Sequence, residues 1–403
     1  MSAARAVRTP VRVAHVITKL ELGGAQQNTL YTLGHLDPAR FSGMLVAGSE
    51  GLLIDEARRE AASGRYEARF LRHLVREVRP HREALAYREL VRLFRDEVAR
   101  ARAAAGGARP PALIVHTHSS KAGILGRMAA AAAGVPVVIH SIHGYPFHPR
   151  QRPAVRRAYV ALERLAARRT THFIAVAQAD IEEGVALGLF PRERATLIRS
   201  GIELARFAGA GIDRAAKRRE LGLDPARPLA GMIGNFKPQK NPVDFVRVAA
   251  LVAARVPGAQ FVLAGDGPLR LEVEAEIARS GLGERVRLLG WRRDPEQIIP
   301  CLDVLVLTSL WEGLPRVFPQ AMAAARPVVA YRVDGAPEAV ADGVSGYLVE
   351  PGDVAGAAAH VAELLLDPAR AAAMGAAGRG RVGEFDADLM VRQQEELYER
   401  LLT

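Results

Sequence analysis

Short apolar runs separated by helical stretches recur along nearly the whole chain, and this rhythm restricts the fold more than any other feature. In the first half the runs are VRVAHVI (11–17), SGMLVAG (42–48), ALIVHTH (112–118), PVVIHSIH (136–143) and HFIAVA (172–177). The second half repeats the pattern with PLAGMIG (228–234), AQFVLAG (259–265), RVRLLG (285–290), DVLVLTS (303–309) and PVVAYRV (327–333). A strand that is apolar at consecutive positions must be covered on both faces, so strands alternating with helices imply a parallel sheet between helical layers. Two such sets in 403 residues predict two doubly wound α/β domains, because a single core stops growing well short of that length. The polar stretch GAGIDRAAKRRELGLDPARP, which ends at Pro228, carries no strand pattern and places the boundary near it. The expected division is 1–205, 206–385, and a final helix over 386–403 that crosses back to the first domain. Sheets of this type bind ligands at the carboxyl ends of their strands, so two of them facing each other across a cleft would concentrate the chemistry there.

Residues 1–205 hold 31 Lys+Arg against 18 Asp+Glu and the remainder 24 against 26, so the net charge of +11 resides in the first half. Such asymmetry suits an anionic surface or substrate. Arg152, Arg156, Arg157, Arg164, Arg168 and Arg169 fall on an expected helix after HGYPFHP, with Tyr159, Leu162 and Leu165 available for its apolar side. A cationic amphipathic helix of this kind lies on lipid headgroups, which makes an anionic membrane an expected partner. The plainer alternative is a solvated, arginine-rich face. A second basic stretch, RFLRHLVREVRPHR, is expected just ahead of another helix. Nucleic acid is not an expected partner: no reading module is recognisable, and an aromatic content of 5% leaves few side chains for stacking on bases. The single cysteine, Cys301, rules out an internal disulfide and fits a reducing, cytoplasmic setting. No run reaches the roughly 18 apolar residues that span a bilayer, and the N-terminus lacks the apolar centre of a signal peptide. The opening MSAARAVRTP has no apolar period and is expected to lie outside the fold.

Candidate site residues stand where strands end. Gly23 and Gly24 follow the first run and precede a helix, a turn that lets backbone N–H groups approach an anion. His143 ends the fourth run and is followed by Gly144 and a Tyr145-Pro146-Phe147 loop, whereas His116 and His118 read as structural. His140, His143 and His148 lack a recognised metal spacing, and Asp386 and Asp388 read as helix caps, so no metal is expected. In the second half, Gly234 and Asn235 lead to Lys240, a compact positive charge suited to a phosphate. Trp291, after Gly290, offers an indole to a base. Glu312 follows DVLVLTS, and Gly313, Leu314 and Pro315 are expected to begin the next helix with unpaired amides. Gln320, about two turns on, would then share a helix face with that start.

Taken in order, GGA (23–25), HTHSSKAGILGRMAA with HGYPFH, IRSGIE, IGNFKPQKN, LAGDGP, and TSLWEGLPRVFPQAMA followed by VDGAPE resemble the family-four glycosyltransferases, retaining enzymes of the GT-B fold. The resemblance covers nearly the whole chain and is strongest to bacterial members that build capsule, exopolysaccharide or lipid-linked oligosaccharide. It implies two Rossmann-like domains, an acceptor-binding one and a donor-binding one, and transfer of a sugar from a nucleotide diphosphate sugar to an acceptor hydroxyl with configuration kept. Gly23 and Gly24 would lie by the donor diphosphate, His143 by the transferred sugar, and Lys240 on the leaving diphosphate. Glu312 matches the first glutamate of the family's E-x7-E, which contacts sugar hydroxyls, with the amides of Gly313 and Leu314 nearby; Gln320 stands in place of the second, the ribose partner. Asn235 replaces an arginine common in the family, which Lys237 or Arg316 would have to compensate. Tyr145, Phe147, Arg152, Arg156 and Arg157 are assigned to the acceptor or membrane side. The nucleotide sugar is a co-substrate, and no cofactor is implied. A sugar-nucleotide epimerase of the same architecture, and a non-enzymatic nucleic-acid-binding or scaffold protein, are the alternatives.

Overall fold

The computed structural model describes residues 10–104, 113–148 and 150–403. Residues 1–9 lie outside this range, and with them most of the stretch expected to remain outside the fold. The chain forms two compact units: the described part of Met1–Ser200 together with Ala387–Thr403, and Gly201–Asp386.

The first unit is built on β1 (Val11–Ile17), β2 (Phe41–Gly48), β3 (Glu67–Leu71), β4 (Leu113–His118), β5 (Val137–Ile142), β6 (His172–Ala175) and β7 (Ala195–Leu197). They pair in parallel in the order β3-β2-β1-β4-β5-β6-β7. Every residue of β4 and β5 is buried, as unbroken apolar runs require. Helix Ala387–Leu402 completes this unit: Met390, Val391, Leu397 and Tyr398 enter the core formed by Val13, Ile17, Leu45 and Ile139. Arg40 ties the helix down through Glu395 and Glu399.

The second unit holds β8 (Leu229–Ile233), β9 (Gln260–Ala264), β10 (Val286–Leu288), β11 (Val304–Leu307), β12 (Val328–Tyr331) and β13 (Gly346–Val349). Their order is β10-β9-β8-β11-β12-β13, again parallel throughout. All ten expected strands are present, each shorter than or close to its apolar run. Three strands were not anticipated, β3, β7 and β13, and each lies at a sheet edge. The basic stretch that begins at Arg69 therefore starts inside β3, and only its end leads into helix Pro80–Ala104. Among the described residues no helix is long and apolar enough to cross a membrane.

Candidate active site

In each sheet the first and fourth strands of the unit are neighbours, so the connections leaving them run to opposite sides and open a crevice at their carboxyl ends. In the second unit these strands are β8 and β11. The loop after β8 is stitched to the loop after β11: the Leu310 amide donates to the Gln239 carbonyl at 2.8 Å, Gln239 Nε2 to the Trp311 carbonyl at 3.1 Å, and Thr308 Oγ1 to the Asn241 carbonyl at 2.8 Å. Asn241 adopts a left-handed φ of 46° just before helix Pro242–Arg255. This turn brings Lys240 Nζ onto the Glu312 carboxylate as an ion pair. The Glu312 amide donates to Asp334 Oδ2 at 2.6 Å, which fixes the residue's backbone from the next strand end. Two candidates chosen from the sequence thus meet directly.

Close backbone approach explains the surrounding glycines. A Cβ on Gly265, whose φ is +151°, would fall 1.9 Å from the Gly234 carbonyl oxygen. A Cβ on Gly234 would lie 3.7 Å from the Lys240 methylenes, so the lysine stem runs over that glycine. Asn235 is half-buried in the same loop, and its carbonyl accepts from the Lys237 amide. Trp291, 45% exposed, follows Gly290, whose carbonyl accepts from the Gly265 amide.

Two expectations are corrected here. The helix after β11 begins at Val317, so Gly313, Leu314 and Pro315 are loop residues, and Gln320 shares no helix face with Glu312. The cause is local: Pro315 has no N–H, its carbonyl is taken by the Phe318 amide, and the Gly313 carbonyl accepts from Gly335 across the crevice. Gln320 itself is buried within the short helix. Arg316, considered as a substitute for the missing arginine, is buried and donates from Nε and Nη2 to the Gly201 carbonyl; burial lowers its pKa to about 10.

In the first unit the corresponding strands are β1 and β4. Helix Gly24–His35 starts directly after β1, with Gly23 as its cap and the Gln26 side chain folded back to donate to the Lys19 carbonyl. His15 of β1 stands in register beside His116 of β4, with His118 two positions further on. His143, just past β5, meets His118 with 3.1 Å between ring nitrogens. Setting His116 and His118 aside as merely structural is therefore corrected, since they join the chosen His143 in one cluster with His15. Burial lowers the pKa of His15 to about 3 and those of His116 and His118 well below the ordinary value, the neighbouring rings adding to the effect for the latter two. All three rings are neutral at neutral pH. Nitrogens of these rings lie within 4.8 Å of one another, close enough for one ion, but every ring nitrogen of the three already has a hydrogen-bond partner. His118, Ser141 and His143 line a small cavity with Asn28, Arg199 and Gln394.

The aromatic pair of the next loop does not form a surface. Phe147 is 3% exposed and packs with Ile142, Val160 and Phe190, and the Tyr145 hydroxyl donates to the Asp180 carbonyl at 3.0 Å. Its ring stacks on Phe147 at 4.7 Å, because burying both rings removes more apolar area than the loop could leave exposed. Arg156 is half-buried over the Phe147 ring and 3.8 Å from Glu183. Arg152 and Arg157 are exposed, as are Val155, Leu162 and Leu165 at 43%, 46% and 47% on helix Pro153–Ala167.

Residues 23–206 match the model described as Glycosyltransferase Family 4, and residues 213–381 match Glycosyl transferases group 1. The UDP-Gal:alpha-D-GlcNAc-diphosphoundecaprenol alpha-1,3-galactosyltransferase of Escherichia coli is 31% identical over 353 residues, covering 87% of this chain and 87% of that protein. The alpha-maltose-1-phosphate synthase of Mycobacterium tuberculosis is 31% identical over 351 residues, 80% of this chain and 89% of that one. The crystal structure of Anabaena HepE in complex with UDP-glucose shares the fold at a TM-score of 0.79, with 21% identity over 97% of this chain and 100% of that chain. With two parallel doubly wound sheets and these relatives, the chain is an enzyme of the GT-B fold that transfers sugar from a nucleotide sugar, and it belongs to the family-four glycosyltransferases.

Proposed function

We propose that the enzyme moves a hexose-type unit from a uridine diphosphate sugar to a hydroxyl of a polyprenyl-diphosphate-linked sugar, keeping the anomeric configuration. The observation that carries this reading is the Lys240–Glu312 pair at the β8/β11 crevice. In the free enzyme the two charges satisfy each other. When the donor binds, Lys240 turns to the diphosphate and the Glu312 carboxylate accepts from hydroxyls of the sugar. The C1–O bond to the diphosphate breaks as the acceptor oxygen forms its bond to C1 on the same face, and the acceptor proton passes to the departing phosphate oxygen. Lys240 stabilises the charge that develops there, and such a preorganised contact is worth most in a site shielded from water. Glu312 organises the sugar and takes no proton.

Uridine as the base and a diphospho-polyprenol acceptor are supported by the Escherichia coli relative, whose name specifies both UDP-Gal and a diphosphoundecaprenol-linked sugar. Gly23, Gly24 and His143 belong to the first unit's share of the reaction, and Gly234, Asn235, Trp291, Gly313, Leu314 and Gln320 to the donor's surroundings. The helix Pro153–Ala167 supports a place at an anionic membrane: Val155, Leu162 and Leu165 are exposed beside Arg157, Arg164, Arg168 and Arg169. Phe147 takes no part in that surface. No metal or other cofactor enters this reading.

The deciding experiment offers UDP-, GDP-, ADP- and TDP-sugars with and without a diphosphopolyprenol-linked acceptor, and reads the anomeric configuration of the product by NMR. Acceptor-dependent transfer from a UDP-sugar with retention is expected. Inversion, or no transfer from any of the donors, would remove the proposal. Vesicles containing anionic lipid should bind the enzyme in a salt-dependent way that Arg157→Glu with Arg168→Glu abolishes; binding unchanged by both would eliminate the membrane surface.

A further inference from the structure

The hydrogen bonds of the buried histidines form a single line within the first unit. It runs from His143 Nε2 to His118 Nδ1 at 3.1 Å, from His118 Nε2 to His15 Nδ1 at 2.9 Å, and from His15 Nε2 to the Tyr398 hydroxyl at 3.2 Å. From that hydroxyl it continues to His116 Nδ1 at 2.7 Å, and from His116 Nε2 to Ser141 Oγ at 2.7 Å. The His15 and His118 planes are 12° apart with centroids separated by 5.1 Å, so with nitrogens 2.9 Å apart the rings meet edge to edge, as an in-plane N–H···N bond requires.

A neutral imidazole has one donor and one acceptor nitrogen, so the direction of any one link between these rings fixes the others. The Tyr398 hydroxyl has one proton and three neighbours: His116 Nδ1, His15 Nε2 and, at 3.2 Å, Gln394 Oε1. Bonds in which a hydroxyl donates are shorter than those in which N–H donates. The 2.7 Å link to His116 is therefore the one Tyr398 donates into, and the 3.2 Å link is the one it accepts from His15 Nε2–H. Donation to Gln394 instead would leave the His15 link pointing the same way. It follows that His15, His118 and His143 all carry their proton on Nε2, and that His143 Nδ1 is an acceptor.

We propose that Tyr398 is a positioning residue that selects the tautomer of His143 through His15 and His118, so that His143 presents an acceptor to a hydroxyl of the bound sugar. The part concerning the sugar rests on the function proposed above; the tautomers do not. Only donation from Tyr398 to His15 would reverse all three rings and turn His143 Nδ1 into a donor. Burial of the rings, which keeps them uncharged, lets the line hold one direction without a competing protonated state.

The test is long-range proton–nitrogen NMR on enzyme labelled with nitrogen-15 histidine, where each ring reports which nitrogen carries hydrogen. Nε2–H is expected at His15, His118 and His143 in the wild type; Nδ1–H at these rings would overturn the proposal. In Tyr398→Phe, His15 loses the acceptor for its Nε2–H, and an orphaned buried N–H is disfavoured, so the three rings should move to Nδ1–H. Ser141→Ala lies beyond His116 and should leave the three unchanged. An unaltered spectrum in Tyr398→Phe would refute the selection, and if that variant does not fold, the wild-type spectrum still decides the direction of the line. Turnover of Tyr398→Phe should drop about tenfold, the loss of one good hydrogen bond to substrate. Reversed tautomers with unchanged turnover would overturn His143's contact with the sugar while leaving the selector standing.

Discussion

Replacing Lys240 by alanine removes the positive partner of Glu312 and the proposed clamp on the leaving diphosphate, and these two losses differ in size. The pair is 20% exposed on the lysine side and 8% on the glutamate side, so water and neighbouring dipoles already share its field. Screened pairs of this kind contribute about 1 kcal/mol to stability, and the variant should melt only a few degrees below wild type. In the transition state the same ammonium faces a diphosphate gaining charge. At an effective dielectric of about 20, unit charges 4 Å apart interact by about 4 kcal/mol, and a single preorganised donor of this type is worth about 3 kcal/mol in turnover. A rate about a hundredfold below wild type follows, with Lys240→Arg retaining part of the activity. The assay is release of the nucleoside diphosphate at saturating donor and acceptor, alongside circular dichroism to verify the fold. Wild-type turnover in a folded Lys240→Ala enzyme would refute the clamp. A collapse of stability with proportionate loss of rate would show that the lysine acts on the fold instead.

Other perturbations test the remaining assignments. Gly265→Ala should destabilise the protein by about 3 kcal/mol or more, because its φ of +151° is strained for any side chain and the new Cβ would strike the Gly234 carbonyl; the urea midpoint measures this. Phe147→Ala should lose about 3–5 kcal/mol as a buried aromatic, whereas Arg157→Glu should leave the melting temperature within a degree or two, and a reversed order would restore Phe147 to the surface. Burial lowers the pKa of His15 to about 3 and holds His116, His118 and His140 well below the ordinary value. Between pH 6.5 and the folded values the unfolded chain binds protons that the native rings refuse. Stability is therefore fully present above pH 6.5 and falls as the pH drops, by about 1.4 kcal/mol per pH unit for each ring. Urea unfolding at pH 7.5, 6 and 5 reads this slope, and a flat profile would contradict the neutral buried cluster.

What the sequence revealed follows from where each element lies. Central strands such as β4 and β5 are apolar at every position because both faces are covered, so LIVH and VVIH stand out along the chain. Edge strands have less to hide: β3 reads EARFL, with Glu67 and Arg69 facing Arg12 and solvent, and β7 is only ATL. The donor-side residues were legible because Lys240 and Glu312 sit on short loops at strand ends, where position alone predicts proximity. The start of the following helix was not, since Pro315 and the Gly313 carbonyl are engaged by neighbours that no local pattern reveals. Tyr145 and Phe147 looked like a loop for a ligand or membrane because aromatic loops can be exposed; here a core cluster under the loop claims them. His116 and His118 could not be linked to function because what joins them to His15 and Tyr398 is separation in space across most of the chain's length.

Helix Ala387–Leu402 belongs to the first unit, yet it leaves the ribosome only after all of Gly201–Asp386 has been made. The earliest strands must therefore wait, with Val13, Ile17 and Leu45 partly uncovered, until Leu397 and Tyr398 arrive. During that interval the second unit can fold on its own while the first remains unfinished and exposed to chaperones and proteases. A chain halted at about residue 386 would contain every strand of both sheets and still lack the plug of its oldest half.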